Sequence, residues 1–265
     1  MIWYGGNEMK SMGFIGGGRI TKIILNGFKK GKIELDNVVV YDTSLESLKE
    51  LKKEFPEIKI VSDDNESAAS QDMVFLAVHP PAMAEVLGKI KPYLKPDSTV
   101  VSLAPKPQIK QISSLLGGFT RIVRMIPNAP SIINQGYNPI SFAPKMNDSK
   151  KKEILKLFNI LGVTPEVDEG KLEAYALLTA MGPTYFWFQF DELFKLGRSF
   201  GLEDEEIQES LQKMITGAAQ TFYQSELNPG EVMDLVPVKP MADEEEMIKN
   251  AYQTRLEAMF KQLKE

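Results

Sequence analysis

The residues best suited to chemistry lie in five places along 265 residues. The first is Gly16-Gly17-Gly18, between the apolar run Met12 to Ile15 and an amphipathic stretch starting at Arg19. That order reads as strand, tight turn, helix, a form that receives a pyrophosphate on helix-start amides. Gly16 permits the turn, Gly18 lets backbone approach the anion, and the amides of Arg19, Ile20 and Thr21 point at it. Thr21 stands where glycine or alanine is usual, so helix and strand are expected to pack slightly less closely. The second place is Asp42, which ends a second strand at the distance where an acid meets the ribose hydroxyls of NAD. Its charge would repel a 2′-phosphate, so NAD(H) is favoured over NADP(H). Thr43 and Ser44 can meet a phosphate and pull the other way. Asp42 or Ser44 capping the next helix is the structural alternative.

The third place is His79, the only histidine, just past the inner strand Met73 to Val78. At the carboxyl edge of a parallel sheet it can donate a proton, contact the cofactor, or face water as a helix-entry residue. The fourth is Asn128 between Pro127 and Pro130, held rigidly to meet a carboxamide or to brace its own loop. The fifth is Lys239, between Val238 and Pro240, whose ammonium can hold a substrate carboxylate or simply meet solvent. Lys106, between Pro105 and Pro107, is similar.

These residues need a scaffold. Apolar runs and amphipathic stretches alternate up to residue 167, which predicts a doubly wound, Rossmann-type parallel sheet. Strands are expected near 12–15, 38–41, 58–61, 73–78, 100–103, 122–126 and 140–143, with 164–167 closing the sheet. Gly27 inside the first helix marks a close packing contact. From Glu169 onward only helical periodicity remains, over 172–178, 184–200, 204–223 and 242–263, with breaks at Gly201, Pro229 and Pro240. The division is therefore a dinucleotide-binding domain, 1–167, and an all-helical C-terminal domain, 168–265, for substrate and dimerisation. The helix around Trp187 is apolar nearly all round, which predicts burial, with a second subunit covering one face. An interdomain seam is the alternative cover.

Composition narrows the chemistry. There is no cysteine, so thiolate chemistry, disulfides and cysteine metal sites are excluded, and one histidine rules out a multi-histidine zinc site. No compact acid cluster suggests a metal. The net charge of −5, without a basic tract, gives no sign of a nucleic-acid or membrane partner. Residues 1–9 lack the apolar core of a signal peptide and read as an irregular lead-in, so a cytoplasmic location is expected.

Ordered motifs resemble the pyrroline-5-carboxylate reductase family over nearly the whole chain. Its Gly-Phe-Ile-Gly-x-Gly is Gly13 to Gly18 here, and its Ala-Val-Lys-Pro is Ala77-Val78-His79-Pro80. Its Arg-x-Met-Pro-Asn-x-Pro is matched by Arg124 to Pro130. An acidic helix, Glu169 to Ala180, precedes Met181-Gly182-Pro183-Thr184-Tyr185, near the family's Gly-Pro-Ala-Tyr. The resemblance implies an NAD(P)H-dependent imine reductase of proline-biosynthesis type, an intertwined homodimer, and rings of such dimers. It implies that Asn65 lies by the adenosine ribose, that Ala77, Val78, His79 and Ala104 line the cofactor, and that Asn128 sits near the nicotinamide. Met181, Gly182, Pro183, Tyr185, Lys239 and Met241 would line the substrate pocket.

The departures fall on the substrate side. Ser-Gly-Ser-Gly-Pro is Thr179-Ala180-Met181-Gly182-Pro183, and Ser-Pro-Gly-Gly-Thr-Thr is replaced by the segment Val236 to Ala242. They point to a related imine other than pyrroline-5-carboxylate. A carbonyl-reducing dehydrogenase using His79 or a lysine as acid is the rival enzyme, and a non-catalytic nicotinamide-nucleotide-binding protein the rival from another class.

Overall fold

The computed structural model describes residues 11–264; the lead-in before Ser11 lies outside them. Two compact units are present: the chain up to Ala180 with Leu263 and Lys264, and Met181–Gln262.

The first unit is built on a seven-stranded sheet. Its strands are β1 (Met12–Ile15), β2 (Val38–Tyr41), β3 (Lys59–Val61), β4 (Met73–Leu76), β5 (Thr99–Ser102), β6 (Ile122–Met125) and β8 (Ile140–Phe142). The order is β3-β2-β1-β4-β5-β6-β8. The first six are parallel, and β1, β4, β5 and β6 are buried at every position, as inner parallel strands must be. The order reverses between β1 and β4, the place where a crevice opens outside the carboxyl ends of the strands.

Two expectations need correction. The sheet is not all parallel, because β8 pairs with β6 in the antiparallel sense. Nor does 164–167 close it. β7 (Gly136–Tyr137) and β9 (Gly162–Val163) form a separate two-stranded sheet, and 164–167 contributes only an isolated bridge between Ile140 and Glu166. A short apolar run states a preference for extended backbone but not which edge it will meet.

Helices cover both faces: α1 (Arg19–Lys30), α2 (Leu45–Glu54), α3 (Glu66–Ala69), α4 (Met83–Ile90), α5 (Ile109–Leu115), α6 (Asp148–Phe158) and α7 (Leu172–Tyr175). One core layer gathers Phe14, Phe28, Phe75 and Phe158, with Phe14 and Phe75 stacked at 4.3 Å. The other gathers Ile15, Leu76, Leu87 and Ile112. α1 packs on the 3-10 segment Ala129–Ile133 through Gly27, where a Cβ would come within 2.5 Å of the Ser131 carbonyl oxygen. A turn of π-helix, Ala176–Met181, follows α7.

The second unit holds α8 (Thr184–Ser199), α9 (Asp204–Gln224), α10 (Pro229–Asp234) and most of α11 (Glu245–Lys264). Pro229 starts a helix rather than breaking one: it sits at N1, with Asn228 and Glu231 forming a capping box. The expected burial of the aromatic helix does not hold within one chain. Along α8 only Gly197 is buried, and Trp187 and Phe188 are 51% and 67% exposed. No helix among the described residues is long and apolar enough to cross a membrane.

Candidate cofactor and substrate sites

The glycine turn is shaped by three different demands. Gly16 has φ +110°, and a Cβ there would lie 2.4 Å from the Ala77 carbonyl oxygen, so both conformation and space require glycine. Its amide donates to the Tyr41 carbonyl at 2.7 Å. Gly17 is pinned by its amide, which donates to Asp42 Oδ2 at 2.6 Å. Gly18 is different: its φ is −79°, and a Cβ would meet nothing within 4 Å. No contact among the described residues calls for a glycine there. What the missing side chain leaves clear is the approach to the first amides of α1, which has no acid in its first turn and Lys29 and Lys30 in its last. These residues fit a dinucleotide's pyrophosphate.

Thr21 has a bonding role in the turn. It is fully buried, and its Oγ1 donates to the Gly16 carbonyl at 2.6 Å, tying the helix's first turn to the loop. Its place in the motif was visible; its partner was not, because a hydroxyl's partner depends on the loop's path. Arg19 is exposed and Ile20 half-buried at the helix entrance. Asp42 also accepts the Ser44 amide through Oδ1 at 2.8 Å, while Ser44 Oγ caps α2 by accepting from the Ser47 amide. Asp42 therefore bridges the two loops at the carboxyl ends of β1 and β2, and Ser44 is the cap. A carboxylate has about four acceptor positions, so two remain for ribose hydroxyls.

Asn65 is buried but its side chain does not cap α3; Asp64 Oδ1 takes the Glu66 amide instead, at 2.9 Å. Ala77 extends β4 by donating its amide to Ile15 at 2.8 Å, and Val78 is half-buried beside it. His79 is exposed where the 3-10 turn Pro80–Ala82 begins, and its side chain makes no capping bond. Ala104 is buried beyond β5. Asn128 is committed within its own unit: Oδ1 accepts the Tyr137 amide at 3.1 Å and Nδ2 donates to the Thr179 carbonyl at 3.3 Å. That geometry braces the loop. Tyr137 and Tyr175 meet alongside, 6.0 Å between ring centroids, a pair that no sequence spacing announced.

Arg124 is wholly buried, and two carboxylates and a loop carbonyl are its partners. Nη1 donates to Glu169 Oε1 at 2.8 Å, and Nη2 donates to Glu173 Oε1 at 3.1 Å and to the Pro105 carbonyl. Glu169 Oε1 also accepts the Ile109 amide at 2.6 Å, and Lys264 Nζ donates to Glu173 Oε2 at 3.2 Å. Burial pushes the Glu173 carboxyl up, but its own amide, Arg124 and Lys264 together outweigh that and hold it below the ordinary 4.5. The depressed pKa contributes stability in full above the unfolded value and loses it as pH falls through the folded one. Urea unfolding midpoints should therefore drop on acidification below about pH 4.5, and less steeply in Glu173→Gln. An equally steep drop in that variant would assign the acid sensitivity elsewhere.

In the second unit, a cavity of about 380 Å³ is lined by Lys239, Met241, Ala242, Glu245, Ile248 and Tyr252, among others. Lys249, also at its wall, is held by Glu245 at 2.7 Å. Tyr185 reaches the same place through an edge-on contact with Tyr252 at 5.8 Å, so three residues singled out by sequence share one locality. Burial raises the Tyr185 hydroxyl, with Tyr252 adding to it. Met181, Gly182 and Pro183 precede α8 and do not line this cavity. Among the described residues, no cluster of acids and histidine could hold a metal.

Comparison with known proteins agrees with this picture. A family model described as NADP oxidoreductase, coenzyme F420-dependent, matches residues 11–106. The chain is 26% identical to pyrroline-5-carboxylate reductase of Pseudomonas aeruginosa over 94% of its own length and 91% of the relative's. It is 28% identical to the Staphylococcus haemolyticus enzyme, covering 81% and 80%. The crystal structure of Plasmodium falciparum pyrroline carboxylate reductase with NADP bound superposes with a TM-score of 0.79 at 22% identity, covering 97% of both chains. By sequence and by fold, the chain is similar to pyrroline-5-carboxylate reductases over nearly its whole length.

Proposed function

We propose that the protein is an NAD(P)H-dependent reductase that delivers a hydride to a small cyclic imine. The observation that carries this reading is the Gly16 to Thr21 cradle with open space over Gly18, in a chain homologous to such reductases almost end to end. The cofactor, when bound, supplies the hydride. The chain's residues hold and orient it: the Gly18 to Thr21 amides at the pyrophosphate, Asp42 at the ribose, Asn65 and Ala77 to His79 along its length, Ala104 and Asn128 towards its reactive end. An imine that arrives protonated needs no acid from the protein, so orientation and exclusion of water are the main contributions. Residues 1–167 form the cofactor domain and 168–265 the substrate and dimerisation domain. Purified protein offered cyclic imines with NADH or NADPH should consume the reduced cofactor. Turnover of keto acids alone, abolished in His79→Ala, would make it a carbonyl reductase instead, and tight cofactor binding without turnover a binding protein.

Asp42 favours NADH, because its charge faces the ribose that carries the extra phosphate in NADPH. Asp42→Asn keeps an acceptor for the Gly17 amide but removes the charge. The ratio of NADPH to NADH affinity should rise at least about tenfold, or about 1.4 kcal/mol. An unchanged ratio in titrations would remove Asp42 as the selector.

Lys239, exposed at the rim of an apolar cavity, suits the carboxylate of an amphipathic imine. Loss of one charge-assisted contact is worth about 1.5–3 kcal/mol, so KM for carboxylated imines should rise roughly tenfold or more in Lys239→Ala with kcat little changed. Equal KM values in variant and parent would place the carboxylate elsewhere.

The exposed apolar side chains of the helical unit, Phe186, Trp187, Phe188, Leu193, Leu196 and Phe200 among them, support a homodimer that covers them. Light scattering should give twice the chain mass, or a multiple of it for a ring of dimers. The setting is cytoplasmic.

A further inference from the structure

We propose that Arg124 is a positioning residue of this reaction, clamping both ends of the 104–109 connection against which the nicotinamide end of the cofactor is placed. This rests on the reductase reading above. In an open doubly wound sheet, a dinucleotide starting at the β1–α1 turn extends over the carboxyl ends of the strands beyond the switch point, here β4 and then β5. The chain leaving β5 passes Ala104 and turns through Pro105, Lys106 and Pro107 into α5.

At each end of that turn a hydrogen bond leads to the same guanidinium. At its start the Pro105 carbonyl accepts from Arg124 Nη2. At its end the Ile109 amide donates to Glu169 Oε1, which itself accepts Arg124 Nη1 at 2.8 Å. Glu173, only 4% exposed and held by Lys264 at 3.2 Å, fixes the guanidinium from a third direction. Arg124 is also a register partner of Ser102 on β5 and of Ser141 on β8, so its own backbone cannot yield. A guanidinium serves these partners with a planar fork of donors; an ammonium on a lysine stem cannot meet all three in the same plane. The pyrophosphate cradle lies on other residues, so cofactor affinity and nicotinamide placement are separable.

The test uses the full chain and NADH. Arg124→Lys keeps the charge and loses the fork, while Glu169→Ala frees the Ile109 end and leaves the Arg124–Glu173 pair intact, which guards against a lysine variant that fails to fold. Both should bind NADH within about twofold of the parent, since each keeps the amides of the anion site. Both should lose at least about tenfold in kcat, because misplacement near 1 Å can cost a hundredfold. Amide exchange at Ile109 should accelerate while the α1 amides stay protected, and the emission of bound NADH, which reports the ring's surroundings, should move towards that of free NADH. Folded variants with parental kcat, emission and Ile109 exchange would overturn the proposal. A parent that binds NADH but turns over no imine would instead sink the reductase reading, with emission and exchange still deciding the clamp.

Discussion

Gly18→Val should fold like the parent and lose affinity for NADH and NADPH by at least about a hundredfold. A Cβ at Gly18 meets nothing among the described residues, and its backbone lies in the region open to any residue. Thermal midpoints should therefore hardly move. The added branch instead enters the approach to the amides of α1. Losing two hydrogen bonds from backbone amides to a charged group removes about 3 kcal/mol, or two powers of ten in Kd. Gly16→Ala is the control with the opposite signature. There the positive φ and the Ala77 carbonyl at 2.4 Å force the loop to shift, so stability and binding should fall together. Fluorescence titration beside a melting curve separates the two. A Gly18→Val protein that binds either cofactor as the parent does would mean that the open space over α1 is not the anion site, and the functional reading would go with it.

Arg124→Met should destabilise the first unit by about 3–5 kcal/mol, the usual cost of removing one partner from a buried ion pair. Methionine fills much the same volume, so the loss is electrostatic rather than a cavity. Glu173 would stay buried with its own amide and Lys264, and Glu169 would keep the Ile109 amide. The Glu173 carboxyl would then titrate upward, which makes the penalty shrink as pH is lowered and protonation relieves it. The double variant Arg124→Met, Glu173→Gln should cost less than the two single changes summed, since the neutral amide no longer needs a counter-charge. Urea midpoints at constant m-value would measure all three. A loss below about 1 kcal/mol for Arg124→Met would show that this network is no stronger than a surface pair.

What was legible in the residues was what short stretches of chain settle among themselves. Apolar runs of inner-strand character, amphipathic stretches and turn glycines located β1, α1, β2 and the alternation around them almost to the residue, because strand and helix periods act over neighbouring positions. The change to helices alone after Glu169 was legible for the same reason, and Gly27 signalled a close contact because a helix-interior glycine sacrifices propensity. The tertiary structure alone decided which strand edge each short run would meet. It turned β8 antiparallel and set Gly162–Val163 against β7, leaving 164–167 outside the sheet. It also decided partners: Thr21 for the Gly16 carbonyl, Asp42 for the Gly17 amide, Asn128 for its own loop, and Arg124 for two acids 45 and 49 residues away. A side chain's type states what it can bond to. Which group stands within 3 Å of it follows from how distant segments pack, and no local periodicity carries that information.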